Sequence, residues 1–284
     1  MRILITGRRG QVAQCLARVN DGHELLYLGR PHFDLLRPRD LREPVLNARP
    51  DIILSCAALT SVDACERDPV AAFASNAEAP GVLAEAAQTL DIPIIHLSTD
   101  YVFSGAKAAP YIESDTPDPV NIYGRSKLEG EWAVAMVRRH AVIRTTWVYS
   151  PFGGFLAAAL AQAAAGEAVQ AVRDQLACPT SGLDLARVLI VLAKRLTADG
   201  DPAIHGVFHG AGAAAARRAE LVRAALPHAG YATASVQEMR SRDFFSCADR
   251  PLYSVLDSSK LAQVHGVRLR AWEEALVEAV QASS

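Results

Sequence analysis

The chain has 284 residues, half of them apolar and 21% charged, with a formal net charge of −2. That length can bury a sizeable core, and the composition is that of a globular protein rather than a disordered or repetitive one. The near-neutral balance and the lack of clustered basic residues exclude an electrostatic footprint for nucleic acid or an anionic lipid surface. No apolar run approaches the length a bilayer requires. Cys15, Cys56, Cys65, Cys178 and Cys247 lie at unrelated spacings with no Cys-x-x-Cys pair, which reads as free thiols in a reducing compartment. The first residues enter a strand-like run with no leader pattern, so a cytoplasmic enzyme is the expectation.

Short apolar runs at residues 3–5, 25–28, Ile52–Ser55, 94–97 and 142–144 predict strands. Continuous runs of this kind suit a parallel sheet covered on both faces. Between them, helical patterns fall at Gln11–Val19, 41–48, 69–89 and 123–139. The alternation predicts an α/β fold with a doubly wound parallel sheet over residues 1–150, the nucleotide-binding domain. Residues 104–121 predict a long functional loop. Beyond residue 150 the rhythm changes to helices at 155–165, 183–197 and 217–229, weaker strands near Val169 and Val207, and a last helix over 271–282. This predicts a smaller α/β substrate-binding part over 151–284, with some of that chain returning to the first domain.

The first strand runs into Gly7-Arg8-Arg9-Gly10-Gln11-Val12-Ala13 and then a helix. Glycines there allow a tight turn and close approach of a dinucleotide pyrophosphate to a helix N-terminus. The second strand ends in Gly29-Arg30, where an acidic residue would select the ribose hydroxyl of NAD. Arg30, with Arg8 and Arg9 in the turn, instead suits a 2′-phosphate. NADP(H) is therefore favoured, with NAD(H) as the alternative.

The fourth strand ends in Ser98-Thr99-Asp100-Tyr101, and the next helix opens with Tyr123-Gly-Arg-Ser-Lys127. Positions four apart on a helix share a face. An ammonium beside a phenol favours the phenolate, so the spacing predicts a lowered Tyr123 pKa and a proton donor that works near neutral pH. Thr99 at the strand end is placed to donate to a substrate carbonyl. Thr99, Tyr123 and Lys127 form the expected catalytic trio beside a hydride donor.

Those motifs resemble the dTDP-4-dehydrorhamnose reductase family of extended short-chain dehydrogenase/reductases. The resemblance rests on Ser98-Thr-Asp-Tyr-Val-Phe103, Pro110-Tyr-Ile-Glu113 and Tyr123-Gly-x-Ser-Lys127-x-x-Gly130-Glu131. It extends through Ala57-Ala58-x-Thr60-x-Val62-Asp63-x-x-Glu66, Arg144-Thr-x-Trp147-Val-Tyr149 and Arg250-Pro251. It implies that Gly7, Gly10, Gln11 and Val12 bind the pyrophosphate and that Asp34 and Leu35 lie near the adenine. It also implies that Ala57, Ala58, Thr60 and Ser98 line the dinucleotide, with Tyr123 and Lys127 touching it. Val62, Thr99, Tyr101, Tyr123 and Trp147 would form the sugar pocket.

The implied reaction is reduction of the 4-keto group of a nucleotide-linked 6-deoxyhexose, with a nucleotide sugar as the small-molecule partner and a monomer or homodimer as the assembly. Other readings are another nucleotide-sugar reductase, an epimerase, or a non-catalytic nucleotide-binding regulatory subunit. The chain carries Cys15, and Ser181-Gly182-Leu183 after Pro179-Thr180, where some family members have the carboxylates of a metal-bridged dimer. No metal is expected. His205 and His209 read as strand residues rather than ligands, and Cys178 as a packing residue.

Overall fold

Runs of isoleucine, leucine and valine bounded by turn residues bury both of their faces most readily in a parallel sheet. The computed structural model describes residues 1–198, 200–243 and 247–281. Its first half contains β1 (Arg2–Thr6), α1 (Gln11–Val19), β2 (Glu24–Leu28), α2 (Arg42–Ala48), β3 (Ile52–Ser55) and α3 (Val62–Arg67). Next come α4 (Pro69–Phe73), a π-turn (Ala74–Glu78), α5 (Ala79–Leu90), β4 (Ile94–Thr99), α6 (Ile122–Ala135) and β5 (His140–Thr145).

The second half begins with β6 (Val148–Tyr149), α7 (Gly154–Ala164), β7 (Val169–Val172), β8 (Leu176–Ala177), β9 (Thr180–Ser181) and α8 (Gly182–Ala198). It continues with β10 (Gly206–His209), β11 (Ala216–Arg217), α9 (Arg218–His228), β12 (Val236–Met239), α10 (Ser259–His265) and α11 (Trp272–Gln281).

Among the described residues the main sheet has six strands in the order β2-β1-β3-β4-β5-β10, and every pair in it is parallel. Side chains alternate across it. Ile3, Ile5, Ile52 and Leu54 face one layer with Leu16 of α1 and Leu185, Leu189 and Leu192 of α8. Leu4, Ile53 and Val142 face the other, with Val45 of α2, Leu83 and Ala87 of α5 and Val134 of α6. The expected doubly wound sheet is present.

The strand near Val207 pairs with β5 and extends the main sheet, although about sixty residues of chain separate the two strands. Short strands β6–β9, β8–β11 and β7–β12 pair outside it, and α7, α9 and α11 pack around Tyr149.

Several elements depart from the sequence expectation. The helix expected over 69–89 is broken by the π-turn, whose extra residue lets the buried Asn76 side chain bond the Leu59 main chain at both its N–H (2.8 Å) and its carbonyl (3.0 Å). Such turns often mark functional positions. Helix α6 stops at Ala135, short of residue 139, because the Arg139 guanidinium turns to the carbonyls of Asp91 and Leu196. Helices α3 and α10 and strand β12 lacked a recognisable pattern. The last helix runs Trp272–Gln281, and the predicted end at Ala282 lies outside the described residues.

His209 closes β10, buried, with Nδ1 3.1 Å from the Tyr111 carbonyl, and His205 precedes the strand. Cys178 packs with Val102, Phe103 and Leu256. Among the described residues no helix is long and apolar enough to cross a membrane.

Candidate active site

The first turn is built by backbone approach. Gly7 adopts φ +84°, and a Cβ there would lie 2.8 Å from that of Ala57. Its N–H donates to the Leu28 carbonyl at 2.8 Å, and Gly10 N–H donates back to the Gly7 carbonyl at 2.9 Å. Thr6 Oγ1 accepts from the N–H groups of Cys56 and Ala57, both at 3.0 Å, which fixes Ala57 and Ala58 beside the turn. Gly10 caps α1 with no side-chain acceptor, so the N–H groups opening the helix at Gln11 and Val12 are left for a ligand.

The structure thus brings together Gly7, Gly10, Gln11, Val12, Ala57 and Ala58. The Gln11 side chain accepts from Ser150 Oγ at 2.8 Å. Arg8, Arg9 and Arg30 are exposed, and Gly29 lies close enough to Arg8 that a Cβ would meet its N–H nitrogen at 3.5 Å. A dinucleotide pyrophosphate fits this side-chain-free cradle, with guanidinium groups at its rim. Asp34 Oδ1 is engaged by Leu36 N–H at 3.2 Å, and Leu35 packs on the core. Thr60 lies in the exposed loop before α3.

The edge of β4 carries the densest polar network. Ser98 Oγ donates to Glu131 Oε1 at 2.5 Å, and Glu131 pairs with Arg144 at 2.7 Å, all three buried. The Ser98 hydroxyl, expected at the cofactor, is therefore engaged inside the protein. Thr99 Oγ1 donates to Asp100 Oδ1 at 2.9 Å and accepts from Tyr101 N–H at 3.1 Å. Asp100 also receives Thr146 (2.8 Å) and Ser254 (2.5 Å). Burial raises its pKa while those hydroxyls pull it back. The Thr99 proton, expected to face a substrate carbonyl, points to Asp100 in this structure.

Tyr123 opens α6, which Asn121 caps by accepting from Gly124 N–H at 2.8 Å. A Cβ on Gly124 would overlap the Tyr101 carbonyl, so glycine lets α6 press on the strand end. The Tyr123 ring meets Tyr101 edge-on at 5.8 Å, and Thr99 lies near enough to its phenol to oppose the effect of burial on it.

The predicted coupling between Tyr123 and Lys127 is not present. Lys127 Nζ donates to the Leu97 carbonyl at 2.6 Å and lies 3.0 Å from His96 Nε2, while His96 Nδ1 lies 3.0 Å from Ser55 Oγ. Burial pushes the Tyr123 phenol up, opposed by the Thr99 contact, so the expected lowering is corrected. Sharing a helix face does not fix where a four-carbon side chain ends, and this one crosses to β4. Burial also draws Lys127 down to about 8 and His96 well below its ordinary value. The imidazole is then neutral, with Nε2 accepting from the ammonium and Nδ1–H donating to Ser55.

On the sugar side, Val62 opens α3 and is partly buried. Tyr101 is buried and hydrogen-bonded to Arg250, which pairs with Asp63 at 2.9 Å. Trp147 adopts φ +41°, a conformation rare for a bulky residue and a frequent companion of function. The Arg218 guanidinium lies 4.5 Å over its ring.

Sequence reasoning missed Asn76, His96 and Arg218 and the pairing of Glu131 with Arg144, because these roles depend on contacts distant in the chain. A buried histidine inside a strand was the one local signal. Among the described residues no group of His, Cys, Asp and Glu is placed to hold a metal.

A doubly wound parallel sheet with a glycine turn after β1 and a Tyr-x-x-x-Lys helix at the carboxyl edge of β4 defines a Rossmann-type protein of the extended short-chain dehydrogenase/reductase class. The family described as RmlD substrate binding domain matches residues 1–284. The chain is 41% identical to a dTDP-4-dehydrorhamnose reductase of Sinorhizobium fredii, over 96% of this chain and 95% of the relative. It is 39% identical to one of Mycolicibacterium smegmatis, over 99% and 85% of the two chains. The structure of dTDP-4-dehydrorhamnose reductase from Bacillus anthracis in complex with NADP superposes with a TM-score of 0.91 at 27% identity, covering 99% of each chain. The chain belongs to the dTDP-4-dehydrorhamnose reductase family.

Proposed function

We propose that this chain catalyses NAD(P)H-dependent reduction of the 4-keto group of a dTDP-linked 6-deoxyhexose, with dTDP-4-dehydrorhamnose as substrate and NADPH favoured. The observation that carries the reading is the packing of the start of α6, with Tyr123, on the end of β4, with Thr99, at the carboxyl edge of the sheet that also carries the glycine turn. Gly7, Gly10, Gln11, Val12, Ala57 and Ala58 cradle the dinucleotide. Arg8, Arg9 and Arg30 support the preference for a 2′-phosphate. The bound nicotinamide supplies a hydride to the ketone carbon.

Tyr123 gives its proton to the ketone oxygen. A phenol with a raised pKa keeps that proton at neutral pH, and a secondary alkoxide is more basic than a phenolate, so the transfer runs downhill. Thr99 steadies the same oxygen and the phenol. Lys127 holds the nicotinamide ribose. Val62, Tyr101 and Trp147 enclose the sugar. The chain acts in the cytoplasm, as a monomer or a homodimer.

The test is NADPH consumption with a panel of 4-keto-6-deoxyhexose nucleotides. Turnover with dTDP-4-dehydrorhamnose above the rest is expected. No consumption with any member, at saturating NADPH, would refute the reading.

A further inference from the structure

Arg218, the first residue of α9, is an arginine whose chemistry the network above does not use. Its guanidinium lies against two aromatic rings at once, 4.5 Å from the centre of Trp147 and 4.7 Å from that of Phe155, the rings being inclined at 65° to each other. Its Nε is fully enclosed and has no hydrogen-bond partner among the described residues. No carboxylate among the described residues forms a salt bridge with it, and Asp100, which attracts it without contact, is already bonded by the hydroxyls of Thr99, Thr146 and Ser254. Arg250, close enough to repel it, has its own counter-ion in Asp63. The Arg218 guanidinium is therefore enclosed with an unfilled donor and, among the described residues, no carboxylate in contact with it. A partly desolvated cation with no anion in contact is costly, so such a site favours an anionic ligand that reaches it directly.

Placement narrows the ligand. Tyr101 touches the Tyr123 ring on one side, while Arg250 bonds its hydroxyl and Arg218 lies within electrostatic reach on the other. In a nucleotide sugar the diphosphate sits on C1 and the ketone on C4, at opposite ends of one hexose ring. A hexose whose C4 faces Tyr123 would present its C1 substituent to the far side of Tyr101. The two rings confine the guanidinium without using its N–H donors, and a guanidinium offers the two-point hydrogen bonding that phosphate oxygens accept.

We infer that Arg218, held between the rings of Trp147 and Phe155, is the anchor for the diphosphate of the nucleotide-sugar substrate. The inference rests on the nucleotide-sugar reading above and adds to it the residue that binds the anion.

The test uses the full chain with NADPH and measures the affinities of dTDP and thymidine for wild type, Arg218→Met and Arg218→Lys. Methionine keeps bulk over Trp147 without charge, and lysine keeps charge without the planar fork. The expected result is at least a thirtyfold loss of dTDP affinity in Arg218→Met and a threefold or greater loss in Arg218→Lys. Thymidine and NADPH affinities should stay within twofold in both, which also reports that the variants fold.

Should Arg218→Met fail to bind NADPH, Arg218→Lys decides alone by the same criterion. The inference is overturned if dTDP affinity is unchanged, if thymidine weakens in parallel with dTDP, or if wild type binds no nucleoside diphosphate. Unchanged dTDP affinity alongside normal turnover would sink this inference and leave the reductase reading standing. Arg218-dependent dTDP binding without turnover of any keto sugar would do the reverse.

Discussion

Tyr123 and Lys127 sit one helical turn apart, yet their environments do different things to their protons. The phenol stays protonated, so Tyr123→Phe should lower kcat by about 10²–10⁴-fold, the range for losing a general acid, with NADPH affinity held. Rapid-mixing kinetics and a fluorescence titration would check both.

Lys127 is drawn to about 8 by burial, so its charge fades above that pH. NADPH affinity should weaken as pH rises through 8, and Lys127→Arg should flatten that dependence. The sign for stability is separate. The unfolded lysine holds its proton up to its ordinary value of 10.5 while the folded one releases it near 8, so unfolding takes up a proton between those values. In ligand-free protein this group's penalty is complete below pH 8 and disappears as pH rises through the window. The urea midpoint should therefore gain less between pH 7 and 9.5 in Lys127→Met than in wild type. The Tyr-Lys spacing was legible in the chain. The partners of Lys127 were not, because the Leu97 carbonyl and His96 lie thirty residues away and meet it only once β4 and α6 pack.

At the scale of elements, α6 reaches the sheet by losing side chains where backbones touch. A Cβ on Gly130 would overlap the Asn76 carbonyl, as one on Gly124 would overlap that of Tyr101. Gly130→Ala should destabilise by about 1–3 kcal/mol, the usual cost of overpacking, read from urea denaturation. Asn76→Ala should leave the Leu59 N–H and carbonyl without their partner at about 1–3 kcal/mol for each group left unsatisfied.

The sequence pattern found α1 to the residue and β3 likewise, because continuous periodicity and glycine or proline boundaries are local signals. The π-turn was invisible, since its cause is one asparagine side chain reaching a loop formed earlier in the chain. Short strands such as β8 and β11 have no pattern of their own and exist only because tertiary packing pairs them.

Across the whole molecule, the second half is tied into the first. Helix α8 covers one face of the sheet, β10 extends it, and Asp100 binds Ser254 while Asn121 bonds the Asp249 carbonyl at 2.7 Å. A fragment ending at Ser150 would expose the face that α8 covers, so it should show no cooperative urea transition. A sharp transition would contradict that dependence. The alternation of strands and helices announced the sheet, but nothing local marked which later strand would return to it. Cys15 and Gly182 pack so closely that a Cβ on Gly182 would lie 2.9 Å from the Cys15 sulfur.

In the proposed reaction hydride reaches a sugar ketone while Tyr123 protonates its oxygen. Reduction of dTDP-4-dehydrorhamnose with NADPH carrying deuterium at nicotinamide C4, followed by mass and NMR analysis of the product, tests this most directly. The prediction is one deuterium at sugar C4 with wild type and almost no reduced sugar with Tyr123→Phe. Deuterium absent from C4, or a Tyr123→Phe rate close to wild type, would contradict it.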